Sequence, residues 1–330
     1  NYIMVYYIII NKMLKYINSI LTSNNSNNMT YKWLVSIALL YTTVKILNNT
    51  NIPYETVEGF NQSKPYVYKR DEDIYDDFIA DIYDTLHDTK EKTDWELAQI
   101  VRITSPDVNN SVFLDIGSGT GCTVDILQKA GYTAYGVDKS KNMIQYSETK
   151  YPDSDFINAD VNDPLSFDRA SFTHILCTKT TLYQFKNKKK LFSNCYHWMI
   201  PNSYLIIHLV DRKRFSMFKS KDPTNVEWQP LIPKKPKRRT NVTSEYEDFK
   251  YKAHYSFPVN LEETNVVSFT ESFTDKVTNH VRHNEETLYM EDIRDILNMA
   301  KQVGFIFHAK VDMESLGDDN QYLYVLERPH

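Results

Sequence analysis

Between Ser111 and Val210, short apolar runs alternate with stretches in which apolar residues return every three or four positions. The runs VFLDIG, TAYGVD, DFINAD, THILC and YLIIHLV have the length and the β-branched and aromatic content of strands. Helical patterns follow over 120–130, over 140–150 and in KKKLFSNCYHWMI, while DFINAD leads into a loop and short turn. This alternation predicts a mostly parallel sheet with right-handed crossover helices. It is the doubly wound α/β class, whose ligand crevice lies at the carboxyl ends of the strands.

The flanks follow other periods. In DEDIYDDFIADIYDTLHD, Ile74, Phe78, Ile82 and Leu86 are spaced by four, predicting an amphipathic helix opened by acids, and DWELAQIVRIT predicts a second helix. The stretches YEDFKYKAHYSF and VVSFTESFT have a two-residue period, so an antiparallel sheet is expected as an insertion at about 211–285. YMEDIRDILNMAKQVGF restores a helix that Gly304 ends, and the tail reads as a hairpin. One domain is therefore expected over 71–330, behind a linker at 51–70 with no lasting period.

Residues 1–50 form a hydrophobic N-terminal region. Residues 1–21 lack the basic start and small-residue cleavage site of a secretory signal. Residues 31–47 carry no charge between Lys32 and Lys45, with Trp33 at one end. A helix over them would be about 25 Å long against the roughly 30 Å of a hydrocarbon core. Two readings stand: a short membrane anchor and a buried or interfacial amphipathic helix.

Composition narrows the classes. Of 330 residues, 42% are apolar and 25% charged, which suits a folded chain rather than a disordered or fibrous one. The net charge of -5 gives no support for wholesale nucleic-acid binding, and a local basic block stands only at KKPKRR, 234–239. Cys122, Cys177 and Cys195 are too scattered for a disulfide framework or a metal site, so no metal is expected and a reducing, cytoplasm-like compartment is.

The chemistry concentrates after the first core strand, in DIGSGTG. Gly117, Gly119 and Gly121 stand at alternate positions, where glycine permits positive φ and removes the Cβ that would keep a ligand off the backbone. A dinucleotide fingerprint would require glycine at 122, where Cys122 stands, and no P-loop Lys-Ser pair follows. Asp115 would repel a pyrophosphate and attract an ammonium. Asp138, ending the second core strand, is placed to accept both hydroxyls of a ribose. Asp160, ending the third, can accept from an adenine amine, with Ile116, Met143 or Val161 as apolar walls.

This constellation resembles the class I S-adenosylmethionine-dependent methyltransferase family over about residues 71–327. The resemblance implies a seven-stranded Rossmann-like sheet and S-adenosylmethionine as cofactor. It places Asp115 at the methionine amino group, the three glycines beneath the cofactor, Asp138 at the ribose, Asp160 and Val161 at the adenine, and Thr178 in the loop facing methionine and substrate. Many members carry an acid in or at the fourth strand, where this chain has Thr173 and His174. No NPPY-type motif is present, which disfavours adenine or glutamine amide methylation. The layout is similar to that of glycine and sarcosine N-methyltransferases.

Methyl transfer from a sulfonium requires alignment of the acceptor lone pair, exclusion of water and, for an amine, loss of a proton. Candidates for this work are Tyr75, with Tyr83 as a second cofactor cover, Tyr183, and His208 near the end of the last parallel strand. Asp211, Arg212, Arg282 and His283 are further candidates for the lining. A small amine or carboxylate metabolite is the expected acceptor; RNA or protein is the alternative, on the strength of 234–239, and a catalytically silent cofactor- or partner-binding protein is the second. Oligomeric state is not legible in the sequence.

Overall fold

The computed structural model describes residues 62–87, 89–215, 240–258 and 264–330, all within one compact unit spanning Gly59–His330. The basic block at 234–239 and the hydrophobic stretches 1–21 and 31–47 lie outside the described residues. Among the described residues no helix is long and apolar enough to cross a membrane.

The core is a seven-stranded sheet. It takes β2 (Val112–Ile116), β3 (Thr133–Asp138), β4 (Asp155–Asn158), β5 (Phe172–Cys177) and β6 (Met199–Val210) in parallel. The hairpin β11 (Ile306–Asp312) and β12 (Gln321–Arg328) adds antiparallel to β6, giving the order β11-β12-β6-β5-β2-β3-β4. Alternate side chains leave opposite faces of such a strand, and both faces here are covered. Phe113, Leu176 and Ile206 enter one apolar cluster with Leu97 and Ile100 of α2 (Thr89–Thr104) and Val124 and Leu127 of α3 (Cys122–Lys129). Leu114, Ile175 and Ile207 enter the other, with Ile79 and Ile82 of α1 (Asp77–His87), Met143 of α4 (Lys141–Lys150), Phe192 of α5 (Lys188–Trp198) and Ile296 of α6 (Ile293–Val303). All three cysteines are buried free thiols.

The second sheet has five strands in the order β1-β10-β9-β8-β7. Its strands β7 (Asn241–Glu245), β8 (Phe249–Ser256), β9 (Val266–Asp275) and β10 (Val281–Tyr289) form the expected antiparallel insertion. In β8 burial alternates strictly, with Phe249, Tyr251, Ala253 and Tyr255 turned inward. Two features depart from expectation. Tyr66–Arg70, inside the expected linker, form strand β1 and pair in parallel with Val281–Glu285. The helix expected from Asp71 is interrupted: Asp71–Ile74 form a 3-10 turn, Tyr75 leaves helical geometry, and α1 starts at Asp77. Buried Arg282 accounts for the break, because its guanidinium takes the Ile74 carbonyl at 3.0 Å and the Asp76 carboxylate at 2.9 Å.

Candidate active site

The carboxyl ends of β2, β3 and β4 open into a cavity of about 1670 Å³, walled on another side by the inserted sheet. The three glycines meet different demands there. Gly119 has φ +53, and a Cβ on it would meet nothing nearer than the Gly117 carbonyl at 4.0 Å, so bare backbone faces open space. Gly121 has φ +85, and its Cβ would fall 2.6 Å from Phe156 and 2.8 Å from Ser147, so glycine there lets α3 start against β4 and α4. A Cβ on Gly117 would strike the Thr181 side chain at 2.6 Å. Gly117 and Gly119 line the cavity; Gly121 lies behind it.

Asp138 lines the cavity with its carboxylate already oriented: Oδ2 accepts from the Gly119 amide at 3.0 Å and Oδ1 from the Ser140 amide at 2.8 Å. Each oxygen keeps a lone pair for a further donor. Burial pushes the Asp138 carboxyl above its ordinary range, against those amide hydrogen bonds. Asp160 also lines the cavity, held by the Asn162 amide at 2.9 Å, and Met143 and Val161 supply buried apolar wall. Asp115 is buried and is not part of the wall, although Ile116 and Gly117 beside it are. Burial pushes its carboxyl up to about 7, opposed by the Lys179 cation and a hydrogen bond with Thr123.

After β5 the chain turns through Lys179 and Thr180, consecutive non-glycine residues with φ of +51 and +68. Such left-handed geometry costs roughly 1–2 kcal/mol per residue and persists only where surroundings fix it. Here Thr178 closes the turn through its carbonyl, which accepts from the Thr181 amide at 3.1 Å, and His208 Nδ1 accepts from the Thr180 amide at 3.2 Å. Lys179, Thr180 and Thr181 reach the cavity, whereas Thr178 stays buried behind it.

Two expected catalytic residues therefore have other placements. His208 is fully buried, on the face of β6 turned toward α2, and an Nδ1 that accepts must be unprotonated. Burial pushes its pKa well below the ordinary histidine range, and the Lys92 cation acts in the same direction. It positions the loop rather than touching the cavity. Tyr183 is equally buried, with its hydroxyl oxygen accepting from the Val210 amide at 2.9 Å. Asp211, Arg212, Arg282 and His283 also stand outside the cavity wall. Arg212 bonds the Met290 carbonyl at 2.9 Å and His283 stacks on Tyr68. His174, where many relatives of the expected type carry an acid, stacks on Phe113 at 4.4 Å, and burial lowers its pKa to about 4.

Tyr75 does reach the cavity, as does Tyr83. The Tyr75 hydroxyl donates to Glu286 Oε1 at 2.7 Å, and Gln184 Nε2 donates to the same oxygen at 2.8 Å. Around them the inserted sheet contributes Tyr246, Tyr251, Tyr255, Phe269, Glu271, Glu286 and Leu288. Glu271 accepts from the Tyr251 hydroxyl at 2.7 Å and from Asn284 Nδ2 at 3.2 Å. Among the described residues strands β7 to β10 bring two carboxylates and no lysine or arginine to the cavity; Lys69 reaches it from β1 at the edge of the same sheet, paired with Asp76 at 3.4 Å, and Lys92, Lys179, Lys186 and Lys190 come from other elements. Sequence reasoning missed Glu271, Glu286 and Gln184. A signal existed for Glu271, since SFTESFT sets it on the same strand face as Phe269 and Phe273.

A family model described as a methyltransferase domain matches residues 114–207, the segment with the glycine loop, Asp138, Asp160 and the turn after β5. Residues 114–207 thus match a methyltransferase domain. The chain is similar to the phosphoethanolamine N-methyltransferase of Plasmodium falciparum, 34% identical over 103 residues. That match covers 30% of this chain and spans 38% of the length of that relative. Among solved structures, a methyltransferase from Clostridium acetobutylicum superposes with a TM-score of 0.57 at 17% identity, covering 76% of this chain and 98% of that one. The CcbJ methyltransferase of Streptomyces caelestis gives 0.59 at 12%, covering 78% and 98%. The sugar N-methyltransferase KedS8 of Streptoalloteichus gives 0.53 at 17%, covering 75% and 93%. Identities this low carry the fold alone.

The residues present fit S-adenosylmethionine. The open space over Gly119 is a cradle that a Cβ would occupy, and the Asp138 carboxylate is fixed beside it with capacity to spare.

Proposed function

We propose that the protein transfers a methyl group from S-adenosylmethionine to a small acceptor through an amine nitrogen. Gly117 and Gly119 would underlie the cofactor, Asp138 would hold its ribose, Asp160, Val161 and Met143 would bound its adenine, and Asp115 would attract its ammonium. The bound cofactor supplies an electrophilic methyl group on a sulfonium. The protein's own contribution is to orient the acceptor, exclude water and manage its proton.

The acceptor assignment rests on one observation: among the described residues, the wall brought by strands β7 to β10 carries Glu271 and Glu286 among aromatic rings and no cation, and Lys69 on the neighbouring β1 is paired with Asp76. Carboxylates and aromatic faces attract ammonium groups and repel carboxylates. An amine is therefore favoured over the carboxylate metabolite that the sequence left open. Phosphoethanolamine, the substrate in the Plasmodium relative's name, pairs an amine with a phosphate that Lys186 or Lys190 could meet, and aminosugars come second.

Calorimetric titration with S-adenosylhomocysteine tests the cofactor half. Labelled-methyl transfer to matched amines and carboxylates, bulk RNA and cell protein tests the rest. Transfer to amines is the expected result; transfer only to carboxylates or macromolecules would remove this reading, and tight cofactor binding with no transfer would favour a silent protein.

A further inference from the structure

Glu286 stands where three elements meet. It is carried by β10; its Oε1 accepts from Tyr75, in the break before α1, and from Gln184, in the 3-10 turn Thr181–Gln184 after β5. Both partners are tied to the cofactor half. The Tyr75 carbonyl accepts from Ser140 Oγ at 2.6 Å, two residues beyond Asp138, and Gln184 ends the turn whose Thr181 lies against Gly117. The carboxylate is thereby fixed at the seam between the glycine loop and the aromatic chamber. Both of these hydrogen bonds fall on Oε1, and among the described residues none falls on the other oxygen, Oε2.

The groups around it are uneven in charge. Glu271 on β9 and Asp71 in the first turn are acids; Tyr75, Tyr83 and Tyr255 are phenols. Burial pushes the Glu286 carboxyl up to about 7, Glu271 and Asp71 push it the same way, and the hydrogen bonds from Tyr75 and Gln184 oppose them. A carboxyl poised there exchanges protons near neutral pH, as a general base must.

Resting on the reading that the acceptor is an amine, we propose that Glu286 is a catalytic residue, which binds the acceptor's ammonium through Oε2 and removes a proton from it. The N–H bond breaks with its electron pair left on nitrogen, and the proton forms the O–H bond of Glu286. The nitrogen pair then forms the bond to the methyl carbon as the carbon–sulfur bond breaks and its pair stays on sulfur. The proton on Glu286 passes to solvent when product leaves. Glu271, held by Tyr251 and Asn284, is the neighbouring carboxylate that attracts the cation without taking its proton.

Two measurements test this on the full chain saturated with S-adenosylhomocysteine or S-adenosylmethionine. In infrared difference spectra near pH 6, methylammonium chloride is expected to diminish a protonated-carboxyl band in the wild type and to leave Glu286→Gln unchanged. In labelled-methyl transfer to phosphoethanolamine, the wild-type rate should rise with pH through about 7. Glu286→Gln should be slower by roughly 100-fold with that limb moved up to the amine's own range, Glu286→Asp should recover part of the rate, and Glu271→Gln should keep the limb. Affinity for S-adenosylhomocysteine should stay within about twofold in Glu286→Gln, separating lost chemistry from lost folding. A wild-type band unmoved by methylammonium, or an unshifted limb in Glu286→Gln, would overturn the proposal. Cofactor binding with methylation of carboxylates alone would overturn the amine reading first, and the two failures are distinct.

Discussion

Replacing Gly119 and Gly121 by alanine, one at a time, should separate cofactor binding from folding. Both residues have positive φ, so each alanine strains the backbone by about 1–2 kcal/mol. At Gly119 the calculation stops there, because a Cβ meets nothing within 4 Å except the Gly117 carbonyl at 4.0 Å. At Gly121 the Cβ would lie 2.6 and 2.8 Å from ring carbons of Phe156 and 2.8 Å from Ser147, and overpacking of that kind adds about 1–3 kcal/mol. For a domain of this size each kcal/mol lowers Tm by roughly 2–4 °C. Gly119→Ala should thus lose roughly 2–8 °C and Gly121→Ala roughly 4–20 °C. Affinity should rank them oppositely: Gly119→Ala should bind S-adenosylhomocysteine at least about tenfold more weakly, since its methyl intrudes where the ligand lies, whereas folded Gly121→Ala should lose less. Thermal scans and calorimetry read both quantities. A Gly119→Ala protein with wild-type affinity would refute the placement of the cofactor over this loop.

Other outcomes follow from buried charge and from the N-terminal region. Lys188, with no side-chain exposure, pairs with Glu291 at 2.6 Å and donates to the carbonyls of Phe185 and Tyr289; Lys188→Met should cost about 3–5 kcal/mol in denaturant unfolding, and a loss under about 1 kcal/mol would contradict it. The Asp115 carboxyl, raised to about 7, adds stability to the unliganded fold at low pH that is lost as pH rises through 7. A ligand ammonium favours the ionised form, so affinity for S-adenosylhomocysteine should fall by up to roughly tenfold per unit as pH drops below about 7, and a flat calorimetric profile would detach Asp115 from the ligand. If residues 31–47 tether the protein, the full chain should resist carbonate extraction from membranes while a chain starting at Ile52 binds cofactor freely in solution; aggregation of the shorter chain would support packing onto the domain instead.

What the sequence disclosed tracks how local the cause was. The parallel strands were legible because burial on both faces writes itself as a short apolar run, as in VFLDI. The strand-end acids were legible because the class places ligands at carboxyl ends, which is where Asp138 and Asp160 stand. Strand β1 was hidden, since YVYKR acquires its role only from a partner far along the chain. The break before α1 was hidden for the same reason, because Arg282 takes the carbonyl that would have continued the helix. His208 has the right residue type at the right strand end, but parity along β6 turns it, like Ile206, toward α2. Glu286 was missed because alternation shows that a strand has two faces without saying which one meets a ligand.

The parallel pairing of β1 with β10 also sets an order of assembly during synthesis. Tyr68 on the first strand bonds Glu285 on the other, 217 residues later. At roughly 5–20 residues added per second, β1 leaves the ribosome roughly 10–40 s before its partner exists. The parallel strands β2 to β6 are all made in that interval, so the nucleotide half of the molecule can consolidate while the chamber opposite is still unmade. Tyr66 and Tyr68 wait at an unpaired edge meanwhile, with Lys69 and Arg70 beside them as the charges that discourage a stray strand from docking. A message cut short after β6 would yield a protein holding the cofactor loop with nothing to present to it.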